Sequence, residues 1–225
     1  MLLVLWDIDG TLVSSAGHGR YAFDDAFEAV VGRPYDGEIT MAGRTDPQIA
    51  MEMLEGVDGA ADHAPRMLEE LVAALDERRQ LLRSEGHAYP GVPEALEALA
   101  ARDGVAQALL TGNVRANAEL KVSAFGLERW LDFELGAYGS DPHTARSDLV
   151  AIARDRAVER HAGPLDVVLV GDTPLDIEAA RDGGARVVAV ASGSIDLETL
   201  RAAGPDAVFP DLRQTERVLA AITQP

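Results

Sequence analysis

The sequence predicts an α/β protein in which a parallel sheet, covered by helices on both faces, is interrupted by an all-helical insertion. Three observations carry that reading. An unbroken apolar run, Leu2-Leu3-Val4-Leu5-Trp6, ends in Asp7 and Asp9, as a buried central strand does when charge gathers at its carboxyl end. From Pro93 onward helical and strand patterns alternate, the mark of a parallel sheet built from crossover units. Between these stretches residues 17–85 carry helical periodicity and no strand signal, too long a detour for an ordinary crossover.

The elements follow in order. Gly10 permits the sharp turn after the first strand, and the one-residue gap between Asp7 and Asp9 turns Ile8 back into the fold. Ser14 to Gly19 is small and Gly-rich, which suits a hinge. A helix then places Tyr21, Phe23, Ala26, Phe27, Val30 and Val31 at three- and four-residue steps until Gly32-Arg33-Pro34 stops it. Gly43-Arg44-Thr45-Asp46-Pro47 supplies a turn and cap for a helix through Met51 and Leu54, and one long helix is predicted from about Ala64 to Ser84. Ser84 to Gly91 makes a second hinge, so that residues 17–86 form a helical cap on a core of residues 1–16 and 87–225. In the core the pattern gives helix 94–101, strand 105–110, helix 115–125, a short strand near 133–135, a loop 139–146 and helix 147–161. Strand 166–170, helix 174–181 and strand 186–190 complete the alternation.

Composition narrows the function. Lys+Arg 20 against Asp+Glu 38 gives a net charge of −18, which repels nucleic acid and anionic membrane surfaces. The absence of cysteine removes disulfides, zinc thiolates and cysteine nucleophiles, and fits a reducing cytoplasm. The opening apolar run is too short for a signal peptide or a membrane span, so a cytoplasmic protein, monomeric or homodimeric, is expected.

The chemistry gathers where strands end. Asp7 and Asp9 repel each other, and both stay ionised only beside a cation. An ionised Asp is a ready nucleophile, and a neighbour that keeps its proton can pass it to a leaving group. Thr111-Gly112-Asn113 closes the next strand with a hydroxyl and exposed backbone N–H groups at the entrance to a helix, an arrangement that binds an anion; Thr111 or Asn113 could equally be a simple N-cap. Gly171-Asp172-Thr173-Pro174-Leu175-Asp176 again puts carboxylates at a strand end, and hard oxygens from two adjacent strands suit Mg²⁺. In the helical segment His18, Arg20 and Arg44 flank hinge and turn segments from which they could meet a substrate. Lys121, the only lysine, follows Thr111 on its helix, and Arg146 ends the loop after the third core strand.

Asp7-Ile8-Asp9-Gly10-Thr11-Leu12, Thr111-Gly112-Asn113 and the Gly-Asp-x-x-x-Asp spacing of Gly171 to Asp176 together resemble, in order and spacing, the motifs of the haloacid dehalogenase superfamily of phosphohydrolases. The likeness covers nearly the whole chain and is strongest to the phosphoglycolate phosphatase-like branch, which implies a Rossmann-like core with an inserted helical cap. It further implies a Mg²⁺-dependent phosphatase acting on a small phosphorylated metabolite through an aspartyl-phosphate on Asp7, with Asp9 as general acid and base. Asp7 and Asp172 by side chain, Asp9 by its backbone carbonyl, and Asp176 directly or through water, would hold the metal. Thr111 and either Lys121 or Arg146 would hold the phosphoryl oxygens, with Gly10, Gly112 and Asn113 around them. The family's lysine after the third strand is the one departure: an arginine, Arg146, stands there, and the choice between it and Lys121 stays open. A phosphomutase of the beta-phosphoglucomutase kind, or a silent phosphate-binding module, is the alternative.

Overall fold

The computed structural model describes residues 1–161 and 163–224. The chain opens with β1 (Leu2–Trp6) and a two-residue strand, β2 (Val13–Ser14), then runs through four helices, α1 (His18–Val31), α2 (Asp46–Met53), α3 (Ala60–Glu77) and α4 (Arg79–Glu85). A second two-residue strand, β3 (His87–Ala88), leads to α5 (Val92–Ala100), β4 (Val105–Leu109) and α6 (Arg115–Ser123). After a short 3₁₀ turn at Glu128–Trp130 come α7 (Arg146–Arg160), β5 (Asp166–Gly171), α8 (Pro174–Asp182) and β6 (Arg186–Val190). The described chain ends with α9 (Leu197–Ala202), β7 (Ala207–Phe209) and α10 (Thr215–Thr223).

Five strands form a parallel sheet in the order β4-β1-β5-β6-β7. Strand β1 lies between β4 and β5, so the connections leave it towards both sides of the sheet. A crevice opens beyond the carboxyl ends of strands at such a switch point, and β1 delivers Asp7 into it. Both faces are covered, which is why β1 is apolar throughout. Leu3 and Leu5 pack with Leu149, Ala153 and Ile177 of α7 and α8, while Val4 and Trp6 pack with residues such as Leu96, Ala118 and Leu219 of α5, α6 and α10. The indole N–H of buried Trp6 donates to Gln107 Oε1 at 3.1 Å, and Gln107 Nε2 donates to the Leu96 carbonyl at 2.9 Å, so neither polar group is stranded.

The four helices between β2 and β3 bury their own core, with Phe23, Phe27, Ile49, Met67, Leu71 and Leu75 at its centre, and Leu120 of α6 joins it from the body. The strands on either side of them pair antiparallel, Val13 with Ala88 and Ser14 with His87. Beside that ribbon His18, at the start of α1, meets Glu85, at the end of α4, with Nε2 3.0 Å from Oε2. Entry and exit of the helical unit are thereby fastened together.

Three features differ from the sequence expectation. The long helix breaks at Arg78 into α3 and α4; the Arg78 guanidinium reaches back to Asp25 of α1 and lies 5.5 Å from the Tyr21 ring centroid, anchoring the corner. No strand forms at 133–135. The backbone there turns, with Leu135 N–H donating to Asp132 and Gly136 N–H to Phe133, and only the flanking residues Asp132 and Ala137 reach β4. The segment after β6, given no elements from pattern, extends the sheet by β7 and covers it with α10.

Candidate active site

Asp7 takes its place from β1: its N–H donates to the Val170 carbonyl at 2.9 Å, continuing the β1 to β5 ladder one step past the strand. Ile8 is fully buried, as its position between the two acids requires. Gly10 then turns with φ of 91°, and a Cβ here would run into the Asp172 carboxylate. A Cβ at Gly193, after β6, would collide with the same carboxylate, so two glycines make the room in which Asp172 sits.

Among the described residues, the carboxylates of Asp7, Asp172 and Asp176 form one buried cluster whose oxygens lie within 4.8 Å of one another. Burial, reinforced by Asp176, pushes Asp7 up to about 7 despite the pull of Arg146. Burial together with Asp7 and Asp176 pushes Asp172 up to about 9, although it accepts the Thr11 hydroxyl at 3.2 Å. Asp176 is held hardest. Its Oδ2 accepts the Thr173 hydroxyl at 2.7 Å and the Thr173 N–H at 3.1 Å, while its Oδ1 accepts Arg146 Nη2 at 2.6 Å. The same Nη2 donates to Asp7 Oδ1 at 3.0 Å, so Arg146, the first residue of α7, bridges the acid that follows β1 and the acid on α8. Burial opposes its charge, but Asp176 and Asp7 hold its pKa above that of an ordinary arginine.

Asp9 lives in different surroundings. Its side chain is 40% exposed, and its Oδ2 accepts Lys121 Nζ, from α6, at 2.6 Å and Asn113 Nδ2, from the loop before that helix, at 2.9 Å. Lys121 also donates to Asn113 Oδ1 at 2.7 Å, and Asn113 Nδ2 reaches Thr111 Oγ1 at 2.8 Å. Thr111 Oγ1 thus accepts from its neighbour and keeps its own proton to donate. Lys121 lies on α6 two turns beyond Asn113, yet its stem reaches back across the cavity, so both cations weighed from sequence reach the site, one on each side of it. With all four acids ionised, Lys121 and Arg146 would leave a surplus of two negative charges, which Asp7 and Asp172 relieve by holding their protons to higher pH. Hard oxygen donors, buried and mutually repelling, fit a divalent cation.

A cavity of about 340 Å³ joins Asp7, Asp9, Thr111, Asn113, Lys121, Arg146 and Asp172 to the helical unit. The family model described as haloacid dehalogenase-like hydrolase matches residues 1–184. The chain belongs to that family. It is similar to the plasmid-borne phosphoglycolate phosphatase of Cupriavidus necator, 30% identical over 96% of this chain and 92% of that one. The phosphoglycolate phosphatase of Haemophilus influenzae is 27% identical over 96% and 97%. Among solved structures, a hydrolase from Pseudomonas syringae superposes with a TM-score of 0.73 over the whole of both chains at 22% identity, which speaks to the fold. Relatives along nearly the full chain are phosphatases, and the enzyme class of this haloacid dehalogenase-like protein is phosphoric monoester hydrolase.

The other sequence candidates fall unevenly. Gly10 and Gly112 line the cavity, and Gly112 is needed there because a Cβ would strike the Arg44 carbonyl. Arg20 and Arg44 also line it, but Arg20 Nε donates to Asp24 at 3.0 Å, and Arg44 pairs with Glu52 and donates to the Thr40 carbonyl at 3.1 Å. His18 is turned to Glu85 instead, and does not line the cavity. Two residues at the site escaped the sequence reading. Asp46, taken there for a helix cap, sends its carboxylate into the core, where Oδ2 accepts the Val114 N–H at 2.8 Å. Asn117 lies one turn before Lys121 on the same face of α6; the 113, 117, 121 spacing was the signal for it.

Proposed function

We infer that this enzyme is a Mg²⁺-dependent phosphatase that hydrolyses a small phosphorylated metabolite through an aspartyl-phosphate on Asp7. The observation that carries the reading is the contrast between the two acids of one turn: Asp7 buried in an acidic cluster beside Arg146, Asp9 partly open and held by Lys121. Such a division of surroundings assigns different roles to otherwise equal groups. Asp7 attacks phosphorus in line; Asp9 protonates the departing oxygen and afterwards takes a proton from the attacking water. Thr111 donates its hydroxyl proton to a phosphoryl oxygen, while Arg146 fixes the orientation of Asp7 through its bond to Asp176. Asp7 and Asp172 would hold Mg²⁺ by side chain, Asp9 by its backbone carbonyl, and Asp176 directly or through water. When bound, the ion supplies the positive charge that lets phosphoryl oxygens and carboxylates approach.

Residues 17–86 serve as the cap over this site, hinged where β2 pairs with β3. The names of the relatives make short-chain phosphate esters such as phosphoglycolate the first to try. They also favour hydrolysis over the phosphomutase alternative, which requires a sugar phosphate to outcompete water for the phosphoryl group. A net charge of −18 argues against polyanionic partners, and no helix among the described residues is long and apolar enough to cross a membrane. Turnover of an aryl phosphate with Mg²⁺, and its loss in chelator, tests the reading. Full activity in excess chelator, or none on any phosphate monoester, rejects it.

A further inference from the structure

The cap meets the strand-end loops backbone to backbone. Asp46, the first residue of α2 and 6% exposed, holds the segment after β4 at two points: its N–H donates to the Gly112 carbonyl at 2.8 Å, and its Oδ2 accepts the Val114 N–H at 2.8 Å. The residue bracketed between those two bonds is Asn113. A third bond on this segment comes from the core, where the Asn113 carbonyl accepts the Gly139 N–H at 2.9 Å. The same turn of the cap also meets the start of α8, where a Cβ on Gly43 would strike Leu175 and Thr173.

Asn113 is the joint of the network around Asp9. Its Nδ2 donates to Thr111 Oγ1 at 2.8 Å and to Asp9 Oδ2 at 2.9 Å, and its Oδ1 accepts Lys121 Nζ at 2.7 Å. Fixing the backbone on both sides of Asn113 therefore fixes how Thr111 and Asp9 stand relative to one another. Burial pushes the Asp46 carboxyl up to about 7, while Lys121 and the Val114 N–H pull it back down, so its bond to the backbone offsets part of a desolvation penalty.

We propose that Asp46 is a positioning residue for the reaction: supplied by the cap, it brackets Asn113 and thereby aims the Thr111 hydroxyl and the Asp9 carboxylate at the phosphoryl group. Asp46 then serves the turnover of every ester, whatever its leaving group. This rests on the phosphatase reading, in which Thr111 and Asp9 face the ester, and adds the cap residue that aligns them.

The test measures kcat and KM with Mg²⁺ on methyl phosphate and 2-phenylethyl phosphate, two alkyl esters whose leaving groups are alike in basicity and unlike in size. Per folded enzyme, Asp46→Ala should lower kcat about tenfold, by the same factor on both esters, and leave KM within about twofold. Asp46→Asn keeps an oxygen for the Val114 N–H and should stay within about threefold of the wild type. Amide hydrogen exchange at Val114, which needs no substrate, should be slow in the wild type and in Asp46→Asn, and at least about tenfold faster in Asp46→Ala. A wild-type kcat in Asp46→Ala, a loss carried by KM or confined to the larger ester, an Asp46→Asn enzyme as impaired as Asp46→Ala, or a freely exchanging Val114 in the wild type overturns the inference. Each of these leaves the phosphatase reading standing, whereas no turnover of either ester by the wild-type enzyme removes both. Asp46→Glu, which keeps the charge but displaces the oxygen, replaces the alanine variant if that one does not fold, with the same losses expected.

Discussion

The two halves of the cavity are built on different principles. On the strand-end side both cations are fixed by acids, Arg146 by Asp7 and Asp176 and Lys121 by Asp9, while Asp172 accepts the Thr11 hydroxyl. On the cap side apolar residues such as Phe23, Ile49, Leu71 and Leu75 stand beside Arg20 and Arg44, each paired within the cap, and among the described residues the one cap acid that lines the cavity, Asp46, is tied to backbone. The first half is preorganised, because charge held rigidly by its partners needs little rearrangement when a transition state forms. The second half is adaptable, because apolar walls reject little by themselves and discrimination falls to a few polar atoms. On the function proposed above, reaction type and substrate choice would be carried by separate residues.

Substitutions should divide along the same boundary. Asp7→Asn should have the largest effect, a loss of turnover on the order of ten thousand-fold, or about 5.5 kcal/mol of transition-state stabilisation. Steady-state rates would show it. Its fold should persist, since Arg146 keeps Asp176, and an unchanged circular dichroism spectrum would check that.

Metal removal comes next and acts on stability as well as on rate. Asp7 and Asp172 have native pKa values of about 7 and about 9, both above the ordinary 3.8, so the native state holds protons that the unfolded chain has released. For a carboxyl shifted upward, stability is greatest in acid and falls as pH rises through that window. The metal-free melting temperature should therefore drop between about pH 5 and about pH 8, and Mg²⁺ should restore more of it at the upper value, where deprotonated ligands are available. A metal effect that is equal at both pH values would remove the electrostatic account of the cluster.

The two cations sharpen the comparison further. Lys121→Met should lower turnover about a hundredfold, roughly 3 kcal/mol, by freeing Asp9 and Asn113 together. Arg146→Lys should cost somewhat less, because an ammonium can keep one of the two carboxylates but not bridge both. The smallest change is expected for Arg20→Ala and Arg44→Ala, within a few-fold on any ester, since each arginine is already paired inside the cap. A large loss confined to anionic esters would move these arginines into the substrate site and undo the division drawn above.

Legibility in the sequence followed the same boundary. Asp7, Asp9 and Asp172 could be read because an apolar strand that stops in acids is a local pattern, and the strands bearing them are buried on both faces. The helix break at Arg78 was hidden because its cause, contact with Asp25 and Tyr21, lies more than 50 positions away in the chain. Residues 133–135 are apolar enough for a strand, but Asp132 and Gly136 turn the backbone before a ladder can form. Asp46 looked like an ordinary first-turn acid, and nothing near it in sequence announces Val114, 68 positions on. The reach of Lys121 was equally concealed. From position alone it lay too far along α6, and only the packing of that helix across the cavity returns its ammonium to Asp9.

The central claim, that Asp7 is the atom donor to phosphorus, can be tested directly. Enzyme mixed with excess phosphate ester and Mg²⁺, quenched in acid within the first turnover and digested, should yield a transient phosphoryl group on the peptide holding Asp7, absent from Asp7→Asn. A phosphoryl group on another residue, or phosphate release with no covalent adduct at any time point, would contradict it.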